Sequence, residues 1–207
     1  MTRTFTDARR WMTAGTALFA DAVAGLTDAD FDTPTHLPGW NRRHLVAHVA
    51  ANADALRNLV HWAATGTPTP MYASPEERAA GIARGTSLSA DELRTWLGRS
   101  ADDLDAAMRA LTDDQWAAQV VTAQGRTVPA TETAWMRARE VWVHSVDLAL
   151  DIGFGDLPAD FLRALVADIS AKRGAVAGVD GPLPQVAAWL AGRPHTLADA
   201  PPLGPWL

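Results

Sequence analysis

Hydrophobic residues recur every three or four positions through several long segments of this chain, with polar residues between them. This spacing places the hydrophobic side chains on one face of an α-helix. It predicts four long helices, over residues 7–23, 41–62, 90–110 and 132–152, a short helical segment that begins at Pro75, and two further helices over 157–174 and 181–194. Four long amphipathic helices joined by linkers of mixed length predict a mainly all-α protein built on a four-helix bundle.

Polar residues mark the starts of two helical segments. Ser89 is followed three residues later by Glu92, and Thr112 is followed at the same distance by Gln115. This spacing is typical of a capping box, in which each side chain bonds the backbone of the other residue. The segment around Gln124–Gly125 that follows is consistent with either a loop or a small β-hairpin.

The pattern changes after Gly153, where the long amphipathic segments give way to shorter ones separated by Pro and Gly. We therefore predict two parts. Residues 1–153 form the bundle, and residues 154–207 form a small, mostly helical C-terminal extension packed on it.

Composition excludes several classes of protein. The chain has 207 residues and a net charge of -6, and no basic stripe is combined with aromatic residues, which argues against a nucleic-acid partner. No apolar run approaches the roughly 18 residues that span a bilayer. The N-terminus lacks the apolar core of a secretory signal, so we expect a cytoplasmic protein without a membrane partner. Its nine Trp residues are compatible with a monomer or a homodimer.

The chain contains no cysteine, which excludes disulfides, thiolate metal ligands and a protein thiol nucleophile. Any thiol chemistry would therefore need a small molecule to supply the sulfur.

The fourth long helix places Glu140 and His144 four residues apart, so their side chains lie on one face. The same face forms a polar stripe of Arg137, Glu140, His144, Asp147 and Asp151. One interpretation is a solvated face with a weak Glu–His pair. The other is a site sunk into the bundle, because the apolar residues Met136 and Val143 also border this stripe on its far side.

The second long helix carries His48 and Asn52 on a face otherwise made of aliphatic residues. Inward polar groups are costly unless a partner satisfies them, and a metal held by His48, Glu140 and His144 would do so. Two imidazoles and one carboxylate with an open fourth position are a frequent zinc set in enzymes. His44 precedes His48 by one turn and is an alternative ligand, although His48 lies nearer the apolar arc.

Three segments of the chain resemble a known family. They are LPGWNRRHLVAHVAANADAL (37–56), MYASPEERAAGI (71–82) and RAREVWVHSVDL (137–148). In this order they resemble the mycothiol-dependent maleylpyruvate isomerase family of the DinB-like superfamily. The resemblance implies a DinB-like four-helix bundle, a divalent metal that is usually zinc, and the use of the low-molecular-weight thiol mycothiol.

The resemblance also assigns residues. The metal triad of the family falls on His48, Glu140 and His144, and its arginine associated with activity falls on Arg78. Separately from the resemblance, we expect Asn52, on the same face as His48, to contact the bound cofactor. Arg78 would bind a carboxylate of an acidic substrate or a developing enolate. From the residues alone, Arg78 is simply a solvent-exposed helix residue.

One departure from the family concerns the C-terminal part. Residues 170–185 leave too little room for the strands that family members usually carry there, so the second domain is expected to be shortened. Its substrate contacts would then be missing.

These observations lead to two hypotheses. The first is a metal-dependent enzyme in which mycothiol adds to a small electrophilic substrate, as a cis-trans isomerase or as a thiol S-transferase. The alternative is a DinB-like metal-binding protein without catalysis, which acts in stress or ligand binding. A vestigial metal set on a plain helical scaffold is a weaker third interpretation.

Overall fold

The computed structural model describes residues 3–174, 179–204 and 206. Within these residues the chain is predominantly helical. The helices are α1 (Phe5–Ala24), α2 (Arg42–Thr65), α3 (Pro75–Thr86), α4 (Ala90–Arg109), α5 (Asp113–Ala117), α6 (Glu132–Asp147), α7 (Ala159–Arg173) and α8 (Leu183–Leu190), with short 3-10 helices at Ala29–Asp32 and Phe154–Asp156. Strands β1 (Gln119–Val121) and β2 (Thr127–Pro129) pair antiparallel.

The four long helices α1, α2, α4 and α6 form the predicted bundle. Helix α1 packs mainly on α6, and α2 packs on α4 and α6, whereas α1 and α4 approach each other less closely. A cavity of about 270 Å³ lies between α1 and α4 for this reason. The fold class and the helical bundle predicted from the hydrophobic spacing are confirmed.

Local polar contacts begin the helices where the sequence predicted them. Asn41 accepts a hydrogen bond from the backbone of His44 at the start of α2. Ser89 with Glu92 and Thr112 with Gln115 form both predicted capping boxes. The segment around Gly125 is a β-hairpin rather than a loop, with Gly125 in the left-handed region at φ 75°.

Helix α6 ends five residues earlier than predicted, at Asp147 instead of residue 152. Tertiary hydrogen bonds use the carbonyl groups that would continue the helix. The backbone N–H of His36 donates to Asp147 O at 3.0 Å, and Arg42 Nε donates to Leu148 O at 2.8 Å. Ala149 then has a φ of 54°, which is incompatible with a right-handed helix.

The contacts divide the chain into two compact units, residues 5–148 and residues 149–207 with the first residues of the chain. The described residues of the second unit include α7 and α8, which pack on each other, and no strand. The predicted boundary at residue 153 and the docking of the extension on the bundle stay predictions. Residues 175–178 of the predicted shortened segment lie outside the described residues.

No helix in the described ranges is long and apolar enough to cross a membrane.

Candidate metal centre

The three predicted ligands meet between α2 and α6. Glu140 Oε2 lies 3.1 Å from His48 Nε2 and 3.2 Å from His144 Nε2. The two imidazole rings are edge to face, with centroids 4.9 Å apart. One ligand atom from each residue lies within 4.8 Å of the others, a separation that a single cation can bridge.

Helix α6 is buried on nearly all sides, so its polar stripe faces inward. His144 and Asp147 are 1% and 0% exposed, and Glu140 is half-buried. The interpretation of this stripe as a solvated face is therefore wrong for these residues. It holds for Asp151, which lies beyond the end of the helix and is exposed.

A fourth side chain, Asp147, orients the metal-site imidazole of His144. Asp147 Oδ2 lies 2.8 Å from His144 Nδ1. A carboxylate accepts only, so Nδ1 carries a proton, and in the neutral ring Nε2 is the unprotonated nitrogen. A carboxylate bound to the outer nitrogen of a metal-ligating histidine is a recurrent arrangement in metalloproteins.

His144 Nε2 is buried and has no hydrogen-bond partner in the described part of the chain. Its lone pair and the carboxylate of Glu140 are two acceptors 3.2 Å apart. Two acceptors at this distance need a proton or a cation between them. The donor set therefore fits a divalent metal ion.

The electrostatics of the metal-free cluster agree with this geometry. Burial alone would raise the pKa of Glu140, but His144 and His48 hold it well below its ordinary value. Burial lowers the pKa of His48 below 6.5 despite the opposing effect of Glu140. Burial also disfavours a charged His144, yet the contacts with Asp147 and Glu140 outweigh it and raise its pKa above 6.5.

The alternative ligand His44 is not part of the cluster. Its Nδ1 lies 2.6 Å from Asn41 Oδ1, the side chain that caps α2. The ring of Trp40 stacks on His44 and meets the edge of His48 at 5.5 Å between centroids. Trp40 therefore forms an aromatic wall beside the cluster.

Arg78 lies at the edge of the cluster. Helix α3 carries it, and Ser74 caps this helix with Pro75 at the first position. Although Arg78 is exposed, its Nη2 lies 3.4 Å from His48 Nδ1. Its guanidinium is 5.9 Å from the ring centroid of Tyr72, whose pKa is raised by burial. The structure thus brings the predicted Arg78 to the metal ligands.

Asn52 lies one turn after His48 and is 4% exposed. Its Oδ1 accepts a hydrogen bond of 3.0 Å from Arg137 Nη1, which also donates to Val49 O at 2.7 Å. Arg137 is 1% exposed. Burial lowers the pKa of Arg137 to about 10, which leaves it charged at neutral pH.

Asp147 and Arg137 lie on the polar stripe of α6, but the sequence pattern predicted no role for either. Their spacing carried the signal, because Asp147 follows His144 by three residues and Arg137 precedes Glu140 by three. Residues three apart on a helix lie on the same face, so both belonged to the layer of the ligands.

Known proteins resemble this chain in both sequence and structure. Residues 12–149 match the profile of the mycothiol maleylpyruvate isomerase N-terminal domain. A crystal structure of the mycothiol-dependent maleylpyruvate isomerase is similar at 39% identity and a TM-score of 0.87, covering 94% of this chain and 92% of that chain. A structure of a histidine-to-alanine mutant of that isomerase matches at 40% identity, with the same TM-score and coverage.

YfiT from Bacillus subtilis, described as a probable metal-dependent hydrolase with an unusual four-helix bundle topology, is 19% identical with a TM-score of 0.54, over 70% of this chain and 85% of that chain. It supports the four-helix-bundle fold alone. No curated protein gave a significant sequence match.

A profile match over most of the bundle and 39% identity across 94% of the chain agree with the three motifs and with the geometry of the cluster. The chain belongs to the mycothiol-dependent maleylpyruvate isomerase family.

Proposed function

We propose that this protein is a metal-dependent, mycothiol-dependent isomerase that acts on a small, acidic, activated cis-alkene of the maleylpyruvate type. The observation that carries the proposal is the buried His48–Glu140–His144 cluster, in which His144 Nε2 has no hydrogen-bond partner among the described residues. Family membership supports the choice of thiol and of substrate class.

His48, Glu140 and His144 would hold the metal, and zinc is the ion we propose because two imidazoles and one carboxylate suit it. When bound, a divalent cation lowers the pKa of a coordinating thiol and so supplies a thiolate at neutral pH. The protein itself supplies no such group, because the chain contains no cysteine.

Arg78 is the residue we propose to bind a substrate carboxylate. In the metal-free arrangement its Nη2 can donate to His48 Nδ1, which is 3.4 Å away. When His48 serves as a ligand through Nε2, Nδ1 carries the ring proton and no longer accepts. Arg78 is then available for a carboxylate, which a guanidinium binds through two parallel hydrogen bonds.

Mycothiol would supply the nucleophile, and the metal would keep its sulfur deprotonated. Addition of that sulfur to one alkene carbon would be balanced by transfer of the double-bond electron pair to the conjugated carbonyl, and the resulting single bond could rotate. Loss of the same sulfur would restore the double bond in the trans geometry, so no further reagent would be needed.

The same first step would serve a thiol S-transferase, in which the adduct is protonated and released. A cytoplasmic location and a monomeric or homodimeric state stay predictions from the sequence.

The test is an assay of zinc-loaded protein with mycothiol and maleylpyruvate, beside a His144→Ala variant. We expect the trans product to form only with mycothiol present, without net consumption of the thiol, and the variant to lose activity with its metal. A stable thiol adduct as product would indicate the transferase. No thiol-dependent turnover by metal-loaded protein would contradict the enzyme and favour metal binding without catalysis.

A further inference from the structure

Arg137 is a buried cation that makes no direct ion pair with the described residues. None of the described carboxylates lies within ion-pair distance of its guanidinium, and its Nη2 has no hydrogen-bond partner there. Its Nη1 donates hydrogen bonds to Val49 O and Asn52 Oδ1. A buried charge without a direct ion pair is costly, and Glu140 and Asp54 favour the charged form of Arg137 only from farther away.

The contact with Asn52 fixes the orientation of that amide. A guanidinium donates and never accepts, so the atom of Asn52 that faces Arg137 is the carbonyl oxygen. The amide nitrogen of Asn52 must then point away from Arg137. Within the described residues, this nitrogen donates to no other group.

Asn52 and Arg137 form the layer next to the metal ligands. Asn52 follows His48 by one turn on α2, and Arg137 precedes Glu140 by one turn on α6, so both lie on the faces that carry the ligands. Arg78 approaches the same ligand from α3, with its Nη2 3.4 Å from His48 Nδ1. Asn52 and Arg78 are therefore two hydrogen-bond donors next to His48, one on its own helix and one on a neighbouring helix.

We propose that Arg137 is a positioning residue that holds Asn52 Oδ1 and thereby presents the Asn52 amide nitrogen as a hydrogen-bond donor to a carboxylate or enolate oxygen of the acidic substrate. This inference rests on the proposed function, because the substrate must be an acid bound beside the metal ligands. It assigns Asn52 to the substrate rather than to the thiol cofactor.

The first experiment compares two variants at position 52 in zinc-loaded protein. Asn52→Asp keeps an oxygen for Arg137 and removes the donor, and Asn52→Leu removes the donor without adding a charge. We expect both to raise KM for the substrate by about 10- to 100-fold, as for the loss of a hydrogen bond to a charged group. KM for mycothiol should change less than about twofold, because loss of a contact to the substrate leaves the thiol site intact. A raised KM for mycothiol with an unchanged KM for the substrate would overturn the assignment.

The second experiment tests whether Arg137 acts through Asn52. Arg137→Met should raise KM for the substrate in the wild-type background and add little in the Asn52→Leu background, because residues that act together are non-additive. Arg99→Met, an exposed arginine on α4, is the matched control and should leave KM unchanged. Additive effects of Arg137→Met and Asn52→Leu would show that Arg137 acts independently.

A third readout does not depend on turnover. In ¹⁵N-labelled, zinc-loaded protein without thiol, maleate serves as an unreactive cis-dicarboxylate probe. The side-chain amide resonances of Asn52 are identified as those that are missing from the spectrum of Asn52→Leu. We expect maleate to shift these resonances in the wild-type protein. Binding of maleate without this shift, or no binding at all, would overturn the inference even if the isomerase assay succeeds. A shift in protein that shows no isomerase activity would support the carboxylate site and contradict only the proposed reaction.

Discussion

The carboxylate of Asp147 determines which ring nitrogen of His144 carries the proton. Their contact is 2.8 Å long and completely buried, so water cannot replace it. Among the described residues, no carboxylate binds the outer nitrogen of His48, which instead meets the exposed Arg78. The two imidazoles are therefore held differently, one rigidly from within α6 and the other by a side chain of a neighbouring helix.

We predict that Asp147→Asn weakens metal binding by about 10- to 100-fold, as is usual for the loss of the outer partner of a ligating histidine. Asparagine has the size of aspartate, but its amide can also donate a hydrogen bond to Nδ1 of His144. This allows the tautomer that carries its proton on Nε2, the nitrogen that would bind the metal. Competition with a chromophoric chelator measures the affinity. Asp151→Asn makes the same chemical change at an exposed position and should leave the affinity unchanged.

The choice between the two histidines of α2 gives a second prediction at this scale. A chelator should lower the melting temperature of the wild type and of His44→Ala, but hardly that of His48→Ala. Metal at 100 times its Kd stabilises the folded state by about 2.7 kcal/mol, and this contribution is what the chelator removes. A chelator response that survives His48→Ala would place the ligand elsewhere.

At the scale of the elements, close approach between helices decides where small residues are required. A Cβ added at Gly15 on α1 would lie 2.7 Å from Val141 Cγ2 and 2.8 Å from the ring of Trp142, both on α6. A Cβ at Gly98 on α4 would meet nothing within 4 Å. The tight α1–α6 contact thus depends on a glycine, whereas the looser side of the bundle does not.

We therefore predict opposite effects for two mid-helix substitutions. Gly98→Ala should increase the free energy of unfolding by about 0.5–1 kcal/mol, because alanine loses less backbone entropy in a helix. Gly15→Ala should decrease it by about 1–3 kcal/mol through overpacking. Urea denaturation measures both, and equal effects would contradict the packing described for α1 and α6.

At the scale of the whole molecule, the buried cluster links folding to pH. In metal-free protein the folded-state pKa of His144 is above 6.5, so its stabilisation is present at lower pH and is lost as the pH rises through that pKa. The pKa values of His48 and Glu140 are lowered, so their contributions are lost as the pH falls below 6.5 and below 4.5, respectively. The metal-free cluster therefore contributes most to stability near pH 6.5.

Metal should change this profile, because it requires neutral imidazoles and an ionised Glu140. We predict that the difference in melting temperature between zinc-loaded and chelated protein grows as the pH rises from about 5 to about 8. This range spans the ordinary pKa of histidine, about 6.5. Thermal denaturation at several pH values measures the difference, and His48→Ala is the control without metal. A difference that does not change with pH would show that protons and metal do not compete at these residues.

The sequence alone determined the positions of the helices, two capping boxes, the helical spacing of Glu140 and His144, and the resemblance to the family. Helix periodicity and capping act over a few residues, and the spacing of Glu140 and His144 is itself helical, so these features are local. Only the tertiary structure decided that the polar stripe of α6 faces inward, that His44 binds Asn41 rather than the cluster, and where α6 ends. Each of these depends on groups distant in the chain: α2 opposite α6, and the His36 backbone and Arg42 side chain at the last carbonyls of α6. The buried pairing of Arg137 with Asn52 is of the same kind, because a helical projection shows which face a side chain occupies but not what packs against it.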